Sequence, residues 1–317
     1  MLISITVPCY NEEKNIPAFY NVITEVAAGF EEGVDFEFIF VNDGSKDETY
    51  RVMKEYSEKD SRVKYVSFSR NFGKEAAMLA GLEAASGDYV VVIDADLQDP
   101  PELIKDMYQL MKSGEYERIA TRRVDRKGEP VIRSFFAKTF YKLINKISNV
   151  KIVDGARDYS MMSRRMVDSV LSLKEKSRFT KGLFEWPGYK TKWLEFNNVA
   201  RNEGGSKWSF FKLFSYSIEG IVAFSHFPLV LSSIMGVLLF FISLLFIVII
   251  IVRKLVFGDE VTGWASTACI ILMVAGLQQF SLGIIGSYLA RVFVEVKDRP
   301  MYVVLDTNID KTLPKKD

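Results

Sequence analysis

From Phe227 to Val252 the chain carries no charge, and only Pro228, Ser232, Ser233, Gly236 and Ser243 interrupt an otherwise apolar run. A helix needs about 20 apolar residues to cross the hydrocarbon core of a bilayer. The run therefore predicts a transmembrane helix. A second uncharged stretch, Gly263 to Ala290, carries Gln278, Gln279, Ser281 and Ser287 and is also expected to span. Its glutamines and glycines suit a face packed against protein. The alternative is a buried hairpin in a soluble core, and two consecutive runs of this length joined near Arg253–Thr262 weigh against it. Flanking charge sets the expected topology. Lys207 and Lys212 precede the first run, and Arg291, Lys297 and Arg299 follow the second. The connecting loop has Arg253 and Lys254 offset by Asp259 and Glu260. The positive-inside bias then puts both termini in the cytoplasm. Residues 1–10 read as a strand and lack the basic start and long apolar core of an export signal.

Ahead of the first run, Ser206 to Phe224 holds aromatics at helical spacing with few charges. It reads as an interfacial helix, with Trp208 at headgroup level, or as an ordinary core helix. His226, at the boundary, is expected to be structural or interfacial. Residues 1–205 alternate strand-like and helix-like segments: Leu2–Val7, Phe36–Val41, Val63–Phe68 and Tyr89–Ile93 against Asn15–Gly29, Lys46–Lys59 and Lys74–Ser86. Such alternation predicts an α/β domain with a mostly parallel sheet and helices on both faces. The expected organisation is an α/β domain at 1–205, an interfacial helix at 206–225, a two-helix membrane region at 226–292 and a cytoplasmic tail at 293–317. The tail is expected to be mobile after Asp306.

Composition removes several function classes. Lysine plus arginine total 41 against 40 acidic residues, a net charge of +1, so a nucleic-acid binder held by a general basic surface is disfavoured, while a local basic patch stays open. The two cysteines, Cys9 and Cys269, lie far apart and form no disulfide framework or cysteine-rich zinc site. With one histidine, a Ser-His-Asp triad is disfavoured and a metal site of several histidines is excluded. An enzyme built from this chain is expected to work with carboxylates, arginines, lysines and a metal held by oxygen.

Ligands of open α/β sheets bind beyond the carboxyl ends of the strands. Those ends read Pro8-Cys9-Tyr10-Asn11-Glu12-Glu13, Val41-Asn42-Asp43-Gly44-Ser45 and Asp94-Ala95-Asp96-Leu97-Gln98-Asp99. One such cluster reads equally as loop chemistry or helix capping. Three on one sheet edge form a pocket. Asp94 and Asp96 are the sharpest feature, because residues i and i+2 of an extended segment point the same way. Two hard oxygen donors suit Mg²⁺ or Mn²⁺ sharing its coordination with substrate phosphates. Neither a G-x-x-x-x-G-K-[ST] loop nor a G-x-G-x-x-G follows the first strand. Gly73, in Arg70-Asn71-Phe72-Gly73-Lys74, would permit close backbone approach to a nucleotide, or simply serve a strand-to-helix turn.

The ordered set VPCYNEE, VNDGSKDET, RNFGKEAAMLAG and DADLQDPPE resembles family 2 glycosyltransferases of the GT-A fold. Asp154–Arg165 and Arg201–Trp208, followed by two spans, narrow the resemblance to the polyprenyl-phosphate branch, which includes dolichol-phosphate mannose synthases. Within it the chain looks most like bacterial bactoprenol glucosyltransferases of the GtrB type. The resemblance implies a nucleotide-sugar pocket formed by Pro8, Tyr10, Glu12, Asp43, Gly73, Lys74, Asp94, Ala95 and Asp96. It makes Asp94 and Asp96 the metal-binding D-x-D, places Gln98 beside the sugar and makes Asp158 a catalytic carboxylate. Relatives usually carry Gly-Asp-Phe where this chain has Arg157-Asp158-Tyr159. Arg201, Ser206 and Lys207 match a phosphate-facing segment.

The implied reaction moves a sugar, with inversion, from a UDP-sugar to undecaprenyl phosphate in the bacterial plasma membrane, with Mg²⁺ or Mn²⁺. An anionic acceptor must approach an anionic donor, so arginines are needed, and Arg122 and Arg133 are the first choices among Arg122, Arg123, Arg126 and Arg133. Glucose is the favoured sugar, N-acetylglucosamine the next, and GDP-mannose an alternative donor. A polymer synthase is disfavoured by the missing Q-x-x-R-W motif. An inactive membrane scaffold that binds nucleotide sugar is the reading from a different class. The resemblance also implies a homo-oligomer, with a tetramer as one form.

Overall fold

The computed structural model describes residues 1–123, 145–147, 153, 155–196, 222, 225, 227–257 and 263–309. The first half follows the alternation of the sequence: β1 (Leu2–Cys9), α1 (Asn15–Ala28), β2 (Asp35–Asn42), α2 (Thr49–Lys59), β3 (Val63–Phe68), α3 (Lys74–Ala84), β4 (Tyr89–Val92), α4 (Leu103–Lys112) and β5 (Arg118–Arg123). Next come β6 (Ala156–Ser163), α5 (Arg164–Ser172), the single turn α6 (Thr180–Leu183) and β7 (Thr191–Phe196). Two long helices, α7 (Phe227–Phe257) and α8 (Trp264–Lys297), precede β8 (Val304–Thr307).

All eight strands of the described residues join one sheet in the order β7-β5-β6-β4-β1-β2-β3-β8. The block β4-β1-β2-β3 is parallel, as the alternation requires. Strand β6 runs antiparallel to both β4 and β5, and β8 runs antiparallel to β3. Strands β5 and β7 pair parallel at the opposite edge, so the sheet is mixed. Strand side chains alternate between two apolar layers. Ile3, Ile5, Val7, Phe38 and Phe40 pack with α1 residues Ile16, Phe19 and Ile23 and with Ile104 and Met107 of α4. Ile39, Val41, Val66, Val90 and Val92 pack on the other face with Ala76, Ala77 and Ala80 of α3 and with Met166, Val167 and Val170 of α5. Small residues let α3 lie close to the sheet; a Cβ at Gly81 would come within 3.0 Å of Thr6 Cβ.

Helix α2 begins at Thr49, later than the expected Lys46, because side chains hold the preceding loop out of helical geometry. Asp47 Oδ1 accepts from the Thr49 N–H at 3.1 Å, and the Lys46 N–H donates to Asn11 Oδ1 at 2.8 Å. Helix α8 continues beyond the expected Ala290 to Lys297. The segments Phe227–Val252 and Ile270–Lys297 are long and apolar enough to cross a membrane, with mean hydropathy 3.3 and 1.7 and no buried residues in their most apolar windows. Phe240 and Phe241 are each 62% exposed, which rules out the buried soluble hairpin. Apolar surface of this extent requires lipid or protein cover. The expected interfacial helix and His226 lie outside the described residues, apart from Val222 and Ser225.

The stretch expected as a tail instead completes the sheet. After α8 ends at Asp298, in the left-handed region with φ 43°, the chain returns to β3. The Tyr302 ring stacks on Phe68 with centroids 4.6 Å apart, and its hydroxyl donates to Glu83. Asp306 accepts hydrogen bonds from the hydroxyls of Tyr50 and Tyr65, and Asn308 Oδ1 accepts from the Tyr65 N–H at 2.8 Å. Glu295, near the end of α8, accepts from the N–H groups of Lys176 and Ser177 at 2.9 and 3.2 Å. Residues 310–317 lie outside the described part.

Tyr302→Ala removes both the stack and the Glu83 hydrogen bond. It is expected to lower stability by about 1–3 kcal/mol. Thermal and denaturant unfolding of the detergent-solubilised chain would measure this.

Candidate active site

The carboxyl ends of β1, β2, β3 and β4 share one edge because these strands are parallel. Strand β6 opposes β4, pairing Val92 with Ser160, so its amino end reaches the same edge. Asp94, two residues after β4, and Asp158, near the start of β6, therefore meet although 64 positions separate them. This is the sheet mouth that the strand-end motifs predict.

The loops at the mouth are tied to one another. The Asn11 N–H donates to Ser45 Oγ at 3.0 Å, and the Glu12 N–H to Thr49 Oγ1 at 2.8 Å. Asp43 is 3% exposed. Its carboxylate accepts from the N–H of Phe72 at 2.6 Å, the N–H of Gly73 at 3.0 Å and the Asn71 amide at 3.0 Å. Gly44 has φ 60°, and a Cβ there would lie 2.2 Å from the Arg70 carbonyl carbon, so glycine lets the two loops touch. Gly73 has φ 101°, which turns its N–H toward Asp43 and starts α3 at Lys74. Asp43 thus holds the RNFG loop.

Lys74 occupies the centre. Its ammonium lies 2.8 Å from Asp94 Oδ1, 2.9 Å from Asp94 Oδ2 and 2.8 Å from Asp158 Oδ2. Burial alone would raise the Asp158 pKa, but Lys74, Lys181 and Arg157 together hold it well below the usual carboxylate range. Burial likewise opposes the charge on Lys74, and Asp158 and Asp94 more than reverse that effect. Asp158 is therefore an anion near neutral pH and a weak base. In the turn after β4, Ala95 is 2% exposed, while Asp94 and Asp96 on either side of it are partly exposed. Asp96 Oδ1 accepts from the Gln98 N–H at 3.2 Å, with Leu97 at φ 55°.

Arg157, where the resemblance led to an expected glycine, has a clear local role. Its guanidinium grips the 1%-exposed Asp99, Nε to Oδ1 at 3.0 Å and Nη2 to Oδ2 at 3.2 Å. This fork ties the segment after Asp96 to the start of β6, next to Asp158. Sequence reasoning missed this pair, along with Lys181 and Glu75. The signal available was Asp99 itself, an acid five residues beyond Asp94 in a chain whose Arg157 is out of pattern. Tyr10 is 39% exposed at the mouth and Pro8 is partly buried beside it. Arg122, at the end of β5, faces Glu195 of β7, with Nε to Oε1 at 3.0 Å. Arg133, Arg201, Ser206 and Lys207 lie outside the described residues.

Glu75 follows Lys74 on α3 and accepts from both the N–H and the hydroxyl of Thr180. It borders a cavity of about 400 Å³ lined also by Phe72, Arg178, Phe179, Arg291 and Val294. The cavity joins the end of α8 to the loop that positions Lys74.

Among the described residues no group of three or more His, Cys, Asp or Glu forms a cation cage. Asp94 and Asp96 nevertheless fit a divalent ion of the kind that takes one or two carboxylates and completes its shell with phosphate and water.

The chain matches the family described as glycosyl transferase family 2 over residues 4–171. An uncharacterized glycosyltransferase of Synechocystis is 40% identical, covering 96% of this chain and 95% of its own. The SfII prophage-derived bactoprenol glucosyl transferase of Shigella flexneri is also 40% identical, covering 96% of this chain and 97% of its own. Among solved structures, glucosyl-3-phosphoglycerate synthase from Mycobacterium tuberculosis, in complex with Mn²⁺, UDP-glucose and phosphoglyceric acid, is similar over 70% of this chain and 77% of its own. Its TM-score is 0.46 at 22% identity.

Burial pushes the Glu75 pKa up from 4.5 to about 7, against the Thr180 hydrogen bonds. Below pH 4.5 the carboxyl is protonated in both folded and unfolded chains, and its contribution is fully present. Between 4.5 and about 7 only the unfolded chain releases the proton, so stability falls as pH rises. Unfolding midpoints across this window should show a slope of at most about 1.4 kcal/mol per pH unit from this group. Glu75→Gln should remove that component and leave the rest of the profile.

Proposed function

The chain belongs to glycosyl transferase family 2, and from that premise we propose that it transfers a sugar, glucose first, from a UDP-sugar to undecaprenyl phosphate. The observation that carries this reading is the 40% identity to a bactoprenol glucosyl transferase across 96% of the chain, both apolar helices included. The acceptor's chain stays in the bilayer, and its phosphate meets the sheet mouth at the headgroup plane. The cavity between α8 and Glu75 supports this route, because it connects the membrane helix to the Lys74 loop.

In this mechanism Pro8, Tyr10 and Glu12 flank the nucleotide, and the Asp43-held loop presents the Gly73 backbone to it. Asp94 and Asp96 would hold Mg²⁺ or Mn²⁺, which supplies positive charge to the departing diphosphate. Gln98 lies beside the sugar. Arg122, Arg133, Arg201, Ser206 and Lys207 align the acceptor phosphate, whose approach to an anionic donor is otherwise repelled. The phosphate monoester has a second pKa near 6, so it is largely dianionic at neutral pH and needs no strong base. Asp158, kept anionic by its cationic neighbours, matches that requirement: it orients the sugar or acceptor instead of abstracting a proton. Direct attack inverts the anomeric centre. The positive-inside bias places the catalytic domain and both termini in the cytoplasm, and the small and polar residues of the spans suit a homo-oligomer.

Purified chain in detergent, given undecaprenyl phosphate, Mg²⁺ or Mn²⁺ and labelled UDP-glucose, should yield a lipid-extractable labelled product. EDTA should abolish it, and Asp96→Ala should reduce the rate by at least about 100-fold. Parallel reactions with UDP-N-acetylglucosamine and GDP-mannose identify the sugar. No product from any donor, with nucleotide still bound, would favour a scaffold. A second test concerns Asp158. The residual activity of Asp158→Asn should follow the acceptor's ionisation alone, rising through about pH 6. A separate enzyme pKa seen in the parent and lost in Asp158→Asn would overturn the orienting role.

A further inference from the structure

Lys74 is placed with unusual definition for a lysine. Its backbone is fixed by the Gly73 turn, which Asp43 holds through two N–H groups. Its ammonium has three hydrogens, and three carboxylate oxygens surround it: both of Asp94 and one of Asp158, all within 2.9 Å. Both Asp94 oxygens already face this ammonium, which takes up part of the lone-pair capacity a divalent cation would use. A cation entering beside Asp94 would also meet a like charge at a few ångströms. The second cation of the cluster is built differently. Arg157 is a planar fork locked on buried Asp99, whereas the Lys74 side chain is 44% exposed and carries its charge on a flexible four-carbon stem.

We propose that Lys74 is a resident counter-cation that competes with the divalent ion for Asp94. In the ligand-free protein it bridges Asp94 and Asp158 and keeps two facing carboxylates from repelling. When the ion arrives with the donor's diphosphate, the ammonium gives up Asp94 and retains Asp158. Lys74 thereby makes ion binding depend on the nucleotide, so the bare ion binds weakly and the ion–nucleotide complex binds well. The inference rests on the donor-and-ion reading of Asp94 and Asp96 given above.

The test measures Mn²⁺ binding directly, by electron paramagnetic resonance of the free ion, on the full chain in detergent with and without UDP. Lys74→Met and Lys74→Gln, which remove the charge, should bind Mn²⁺ alone at least about tenfold more tightly than the parent. Lys74→Arg keeps the charge and should stay within about threefold of the parent. Circular dichroism and melting temperature establish that each variant is folded, and the two neutral variants cover the loss of either one. Folded neutral variants that bind Mn²⁺ no more tightly than the parent would overturn the proposal. So would a Lys74→Arg gain equal to that of Lys74→Met. UDP-dependent Mn²⁺ binding by the parent, lost in Asp96→Ala, would keep the donor-and-ion reading in place even if the Lys74 result failed. Absence of Mn²⁺ binding in every variant, with or without UDP, would overturn both.

Discussion

The antiparallel pairing of β6 with β4 is the contact on which the site depends. A purely parallel sheet would bring only strand carboxyl ends to the mouth, and the residue after each strand would be the only source of chemistry. By running the other way, β6 delivers its first residues there. Asp158 then stands opposite Asp94, and Arg157 beside it reaches Asp99. Backbone hydrogen bonds of the sheet thus bring the carboxylates of Asp94, Asp99 and Asp158 to the same edge.

Such a concentration of negative charge needs compensation, and the fold supplies it in two forms. Arg157 compensates permanently, through a two-point grip on a buried partner. Lys74 compensates through a more flexible, more exposed arm whose root is fixed by the Asp43 loop. The difference between the two is mechanical as much as electrostatic: one cation braces the backbone, the other can follow the charge of a ligand. Asp43 is the less conspicuous member of this arrangement. Its oxygens accept from two backbone N–H groups and from the Asn71 amide, which fixes where α3 begins.

Much of this was legible in the sequence. The strand-end motifs located the mouth, and two uncharged runs marked the apolar helices. Periodicity and turn chemistry are local signals, which explains why they worked there. What the sequence did not reveal depended on distance. The Arg157–Asp99 pair spans 58 positions, and the Lys74–Asp158 bridge 84. The late start of α2 came from Asn11, on another loop, competing for its backbone. The four-residue β8 was read as part of a tail because it is short and its partner, β3, lies more than 230 positions earlier.

That last strand constrains how the molecule is made. Strands β3 and β8 hydrogen-bond to each other, yet both apolar helices lie between them in the chain. If those helices cross a bilayer, the number of crossings between the two strands has to be even, since a single crossing would leave β8 on the wrong side. The sheet itself therefore checks the insertion of the hairpin. During synthesis the outer edge of β3 also stays unpaired until the ribosome has passed residue 307. Catalytic-domain completion is in this sense the final step of membrane insertion.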